Sequence, residues 1–309
     1  MGIKMSIKLS RRQAILSTAS APLLLSATSA LASDEAPKPL PLGKARGFRI
    51  GELEGATLLA GTTPRPDPHT IFGLNVPAEE FAEVSAANFI PTDSAQFYFT
   101  PTVVKSGDEV ILFDAGLNAA GTTAALAEAG ISPEDITKVV ITHMHGDHIG
   151  GLMNDGTPTY ANAMYVTGQI EFDHWAAAGN ERFDGMVKPL AEKMSFLGDG
   201  DAVAPGITAM AAFGHTPGHM TYMLDSGGKQ LLLAADLANH YVWSLGYPDW
   251  EVKFDMDKTA AAGTRRKVLG MLAADRVPMV GYHMPFPGNG YVETRGDGFR
   301  FVPVSYQLL

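Results

Sequence analysis

The 309-residue chain contains no cysteine. It therefore has no disulfide, no thiolate metal ligand and no thiol nucleophile, and its stability must come from a packed core and from any metal it binds. Basic residues are in deficit: 23 Lys and Arg stand against 33 Asp and Glu, a formal net charge of −10. A protein that grips a polyanion needs a basic face, so the charge balance argues against nucleic acid and anionic membrane surfaces as substrates. No G-x-S-x-G element occurs, no lysine follows the Gly150-Gly151 step, and no internal repeat is visible. A serine-hydrolase elbow, a phosphate-cradling loop and a solenoid are thereby set aside. Gly150-Gly151 reads as a packing step. The apolar stretch from Ala14 to Thr28 is broken by Pro22 and by scattered Ser and Thr. It falls short of the roughly 20 apolar residues that a membrane span requires.

That stretch follows Ser10-Arg11-Arg12-Gln13, which resembles a twin-arginine export signal, and Ala30-Leu31-Ala32 fits a small-x-small cleavage site. Residues 1–32 are expected to be removed, leaving 33–309 as one domain in the periplasm or outside the cell, without stable membrane insertion. Export of this type carries folded protein, which suits a chain that acquires metal first. The leader holds Lys4, Lys8, Arg11 and Arg12 and no acid, so its removal takes the net charge from −10 to about −14.

What the chain does have is a dense cluster of metal-binding side chains. Thr142-His143-Met144-His145-Gly146-Asp147-His148 follows the apolar run Val139-Val140-Ile141. Neutral imidazole and carboxylate are the ligands that borderline divalent metals such as Zn²⁺ prefer. His143 and His145 are two apart, so on an extended segment they point the same way. Gly146 permits a turn that aims Asp147 and His148 at a second point. One metal takes about four ligands, so the cluster is half of a two-metal site and the other half must lie downstream. His215 in Phe213-Gly214-His215-Thr216-Pro217-Gly218-His219, Asp236 at the end of Leu231-Leu232-Leu233-Ala234-Ala235, and His283 after Val280-Gly281-Tyr282 are the candidates.

This H-x-H-x-D-H … H … D … H order resembles the metallo-β-lactamase superfamily over essentially the whole mature chain. The resemblance implies that His143, His145 and His215 hold one metal, that Asp147, His148 and His283 hold a second, and that Asp236 bridges them. Asp147 and Asp236 are the carboxylates it places in catalysis, with Asp114 supporting the ligand loop and His219 structural. The implied cofactor is two divalent ions, zinc first, with Mn, Fe or Co also compatible. Two such ions, two aspartates and one bridging hydroxide leave a net charge near +1, which favours an anionic transition state. Classes B1 and B2 of the β-lactamases use a cysteine ligand, and class B3 lacks the bridging aspartate. Phe286-Pro287-Gly288-Asn289-Gly290 and Gly298 to Tyr306 look like the methyl-parathion-hydrolase branch, as do His143 to Met153. That branch is similar in turn to the N-acyl-homoserine lactonases, which place a tyrosine three residues after the bridging aspartate. Here that position is Asn239, with Tyr241 as a substitute.

The expected activity is hydrolysis of a small neutral ester, with aryl phosphotriesters or aryl esters ahead of lactones. A non-haem iron oxidoreductase is the alternative from another class. Its persulfide dioxygenase form tends to use one metal, and its diiron flavoprotein form needs a flavodoxin domain for which no residues remain. A non-catalytic scaffold is expected only where ligands are lost. Trp175 and Phe183, in the insertion between ligand motifs, and Asn239, His240 and Tyr241 are the candidate substrate-pocket residues. His69 and His174 are read as solvent or pocket residues. A second copy of the chain is the expected macromolecular partner.

The periodicity predicts an αββα sandwich, two mixed sheets face to face with helices outside. A first hairpin is expected over Phe48–Leu59, an irregular loop over 61–77, and a helix starting at Pro77. A second hairpin should join Phe97–Val104 to Glu109–Asp114 across Lys105-Ser106-Gly107-Asp108. Helices are expected over Thr122–Ala129 and after Ser132-Pro133, a strand over Lys138–Thr142, and a closing strand over Gly298–Tyr306.

Overall fold

Successive residues of a strand face opposite ways, and along the strands leading to the candidate ligands both faces are apolar. A computed structural model describes residues 43–304, which lie within one compact unit. The export-signal reading of residues 1–32 and most of the lead-in up to Lys44 fall outside the described residues.

The strands run in chain order as β1 Ala45–Ile50, β2 Leu53–Leu58, β3 Gly61–Pro66, β4 Ser94–Phe99, β5 Thr102–Ser106, β6 Glu109–Phe113, β7 Lys138–Ile141, β8 Met153–Asn154 and β9 Thr157–Pro158. They continue as β10 Met164–Gly168, β11 Met194–Leu197, β12 Ala202–Ala204, β13 Ile207–Ala211, β14 Met220–Ser226, β15 Lys229–Ala235, β16 Met279–Gly281, β17 Asn289–Arg295 and β18 Gly298–Pro303. The helices are α1 Ala78–Ala87, α2 Ala119–Glu128, α3 Gly146–Ile149, α4 Gln169–Ala178, α5 Glu181–Met186 and α6 Lys258–Asp275.

One seven-stranded sheet has the order β1-β2-β5-β6-β7-β10-β11 and the other β12-β13-β14-β15-β16-β17-β18. Both are mixed: β6, β7, β10 and β11 pair in parallel in the first, and β15 with β16 in the second. Between the sheets, Ile111, Phe113, Val140 and Val166 meet Ile207, Leu224, Leu231, Leu233 and Val280. Leu112, Val139 and Ile141 turn the other way, to Leu126 of α2 and Phe183 of α5. Leu232, Ala234 and Met279 likewise pack on Val268, Leu269 and Leu272 of α6. This is the αββα sandwich. It also explains why β7 and β15 read as continuous apolar runs: each is covered on both faces. No helix of the described residues is long and apolar enough to cross a membrane.

Several local expectations need correction. Residues 61–77 are not all irregular. β3 pairs with β4 along its length, its prolines tolerated because the pair is a separate two-stranded sheet with an open edge, and a 3₁₀ turn follows at Pro68–Thr70. Phe97–Val104 is not one strand: Thr100 and Pro101 break it, so β4 joins β3 while β5 forms the hairpin with β6. α2 begins at Ala119 rather than Thr122, because the Asn118 side chain caps it by accepting from Gly121 N at 2.9 Å. Pro77 precedes the first residue of α1, and β18 ends at Pro303, with Ser305 and Tyr306 outside the described residues.

Candidate metal centre

Every candidate ligand lies just beyond a strand end on one edge of the sandwich. β7 feeds His143 to His148, β13 feeds His215, β15 feeds Asp236 and β16 feeds His283. The turns are forced locally. Asp114 (φ 62°) and Ala235 (φ 45°) both hold left-handed backbone, a conformation that costs a non-glycine residue and that concentrates at functional sites. The Gly150-Gly151 step is packing: a Cβ on Gly150 would lie 2.1 Å from Leu117 O, and one on Gly151 2.0 Å from Ala115 O.

The side chains converge in two groups able to hold a metal, His143, His145, His215 and Asp236 in one and Asp147, His148 and His283 in the other. Asp236 lies between them. Its Oδ2 is 3.2 Å from His215 Nε2 and 3.2 Å from His283 Nε2, and its Oδ1 is 3.1 Å from His148 Nε2.

The hydrogen-bond network decides where the imidazole lone pairs point. His215 Nδ1 donates to Asp255 Oδ1 at 2.8 Å, His148 Nδ1 to Asp114 Oδ2 at 2.8 Å, and His283 Nδ1 to Tyr98 O at 2.8 Å. The Thr142 hydroxyl gives its proton to Asp114 Oδ2, so it accepts from His143 Nδ1 at 3.1 Å. In all four rings Nδ1 is thereby committed, and Nε2 is the nitrogen that faces the centre. His143 Nε2 and His215 Nε2 lie 3.1 and 2.9 Å from His145 Nδ1, so three ring nitrogens meet at one point. His148 Nε2 and Asp236 Oδ1 are buried with no hydrogen-bond partner. Converging ring nitrogens and orphaned buried atoms fit a cation, and the donor set fits divalent zinc or its neighbours.

The electrostatics agree. Burial drives the His143 imidazole well below its ordinary range and His145 down to about 3, helped by neighbouring imidazoles. Burial also pulls on His215 and His283, but Asp236 with Asp255 lifts the first to about 9, and Asp236 with Asp147 lifts the second to about 10. Burial would raise Asp147, yet His148 and His283 hold it at about 2. Two ionised carboxylates among five imidazoles demand positive charge at the centre, which metal ions supply while displacing protons.

The remaining sequence candidates divide. Asn239 is buried and donates to Asp236 Oδ2 at 2.8 Å. Trp175 stands edge-on to His145, ring centroids 5.9 Å apart. Phe183 is no pocket wall: it is core, packed on Phe172 of α4, because α5 turns its apolar face to the first sheet. His240 is committed to packing, its Nδ1 accepting from Val242 N and Trp243 N and its ring stacked on Trp243 at 4.1 Å. His69 likewise bonds Gly73 O and Val76 O and stacks on Phe81. His174 is half-buried on α4, its ring edge-on to Trp175 at 5.7 Å. Tyr241 is half-buried and borders cavities of about 630 and 400 Å³, neither lined by a candidate ligand. His219 accepts from Asp236 N through Nε2 and bonds Ala212 O through Nδ1, which leaves no atom for a metal. Sequence reasoning missed Asp255, Arg265 and Glu171, which reach the site only through tertiary contacts, and Tyr282, which precedes His283 in the chain. Tyr282 stacks on His148 at 3.9 Å and donates to Asp147 O at 2.6 Å.

The sequence profile of the metallo-beta-lactamase superfamily matches residues 100–283. The chain is 33% identical over 105 residues to a ribonuclease Z of Nocardia farcinica, covering 34% of this chain and 32% of that protein. It is 26% identical over 108 residues to an N-acyl homoserine lactonase of Bacillus cereus, covering 35% and 40%. It thus spans well under two thirds of the length of these curated relatives. Among solved structures, the dizinc quorum-quenching lactonase AidC superposes with a TM-score of 0.78 at 26% identity, over 85% of this chain and 98% of that one. The hydrolase AbOPH superposes at 0.79 and 22% identity, over 86% and 99%, a likeness of fold alone.

Proposed function

The chain belongs to the metallo-beta-lactamase superfamily, and from that premise we propose that it is a dinuclear-metal-dependent hydrolase of small neutral esters, with cyclic esters (lactones) first. The observation that carries the reading is the place of Asp236, within 3.2 Å of imidazole nitrogens from both ligand groups. His143, His145 and His215 would hold one ion, Asp147, His148 and His283 the other, and Asp236 both. Two divalent ions there would activate water and polarise the acyl or phosphoryl oxygen.

The protein's own groups orient and handle protons. Asp147, its side chain about 22% exposed and ionised at neutral pH, can take up a proton from the attacking water and pass it to a leaving alkoxide. Asn239 holds the Asp236 carboxylate in place. Lactones come first because the likeness to AidC extends over 85% of the chain. The second reading, an aryl phosphotriester or aryl ester, rests on the run Phe286 to Gly290 and on Asn239 standing where lactonases carry tyrosine.

Metal-reconstituted protein is tested on an acyl-homoserine lactone, an aryl ester and an aryl phosphotriester. Lactone should give the highest kcat/KM, chelation should abolish turnover, and Asp236→Ala should lose both metal and activity. Phosphotriester turnover orders of magnitude above lactone would reverse the order. An Asp236→Ala protein that kept two metals and full activity would remove the bridging role.

A further inference from the structure

Glu171 is a fully buried carboxylate in the first turn of α4, and the hydrolytic chemistry has no use for it directly. Burying an ionised carboxylate is costly unless its oxygens are satisfied, and here both are. Oε1 accepts from Met144 N at 2.9 Å and from Trp175 Nε1 at 2.7 Å. Oε2 accepts from Thr216 Oγ1 at 2.7 Å and from Gly218 N at 2.9 Å. The helix N-terminus adds favourable potential.

These partners are not scattered. Met144 sits between His143 and His145, Thr216 follows His215, and Trp175 is the aromatic ring edge-on to His145. One carboxylate therefore ties two loops that are joined only through distant chain, both of which supply the same candidate metal group. The approach is close enough to require glycine at the second loop: a Cβ on Gly218 would lie 2.2 Å from Glu171 N. In the H-T-P-G-H segment, then, the histidine serves the centre while the threonine and glycine serve Glu171.

We propose that Glu171 is a positioning residue: it holds the His143–His145 and His215 loops at the spacing one metal ion needs and orients the Trp175 indole beside His145 as a wall for the acyl or aryl part of the substrate. The second half rests on the hydrolase reading; the first does not. Glu171 belongs to neither candidate ligand group and acts through two backbone amides, the Thr216 hydroxyl and the indole N–H.

The test uses metal-loaded full-length protein and three variants. In Glu171→Gln one oxygen becomes an amide N–H₂ that cannot accept from two donors, so one pair of contacts is lost with shape kept. Competition against a chromophoric chelator should show zinc affinity lowered by about 10- to 100-fold, the usual effect of removing a group that orients ligands. Thr216→Val removes a single donor and should show a smaller loss of zinc affinity in the same direction. Trp175→Phe should keep wild-type zinc affinity and raise KM more than it lowers kcat. The indole emission should shift in Glu171→Gln, and that shift should vanish when Trp175→Phe is added.

A Glu171→Gln protein with a lower melting temperature but wild-type zinc affinity, indole emission and KM would make Glu171 ordinary core packing and overturn the proposal. Should Glu171→Gln fail to fold, unchanged zinc affinity in Thr216→Val overturns it equally. If the wild type turns over no ester or lactone, the hydrolase reading fails, while the zinc competition still decides the clamp.

Discussion

His215 Nδ1 donates to Asp255 Oδ1 at 2.8 Å, and Asp255 Oδ2 accepts from the buried guanidinium of Arg265 at 2.7 Å. Arg265 in turn donates to Leu237 O and Pro248 O, so the orientation of one candidate ligand is anchored in the loop that follows Asp236. Asp255→Asn should lower zinc affinity by about 10- to 100-fold. It also strands a buried cation, at a cost of about 3–5 kcal/mol. The double variant Asp255→Asn/Arg265→Met should recover much of that stability in urea titrations of metal-free protein while zinc affinity stays low. Recovery of both together would mean that Asp255 acts on folding alone.

Asp114 accepts from Thr142 N, Thr142 Oγ1 and His148 Nδ1. Asp114→Ala leaves three buried donors unpaired at about 1–3 kcal/mol each and puts alanine at a φ of 62°. Asp114→Asn keeps one acceptor and a residue that tolerates left-handed backbone, so it should be the milder variant. Urea midpoints for the pair give the order, and equal losses would show that the hydrogen bonds carry little.

Burial holds His240 down to about 3 in the folded protein, against about 6.5 in an unfolded chain. Between those values the unfolded state binds the extra proton. The contribution to stability is therefore full above about pH 6.5 and is lost as pH falls towards 3, at up to ~1.4 kcal/mol per pH unit. His240→Gln should show a shallower fall of unfolding free energy between pH 7 and pH 5 in metal-free protein. Parallel curves for the two proteins would rule this out.

Export is proposed to depend on Arg11 and Arg12. Replacing both with lysine should leave unprocessed protein in the cytoplasm, read by fractionation and mass. Normal processing to a start near Ser33 would assign the leader to the general secretory route.

Local covalent spacing carries much of this protein. Two histidines at i and i+2 on an extended segment beyond a strand point the same way whatever the rest of the chain does, and an apolar run such as Val139 to Ile141 or Leu231 to Ala235 has to be covered on both faces. The sandwich and the first ligand cluster were legible for that reason, while the division of the ligands between two metals was read from the family resemblance. Other features depend on distance in space. Glu171 is 27 residues from Met144 and 45 from Thr216, Asp255 is 40 from His215, and in sequence both are ordinary acids. Phe183 and Trp175 read alike as aromatics in one insertion, yet packing puts one in the core and the other beside His145. Strand 61–66 was hidden because its prolines are tolerable only at the edge of a small sheet, and being at an edge is decided by how the chain folds. Which side chains could meet a metal is written in short-range pattern; which carboxylates aim them depends on long-range packing that no single segment encodes.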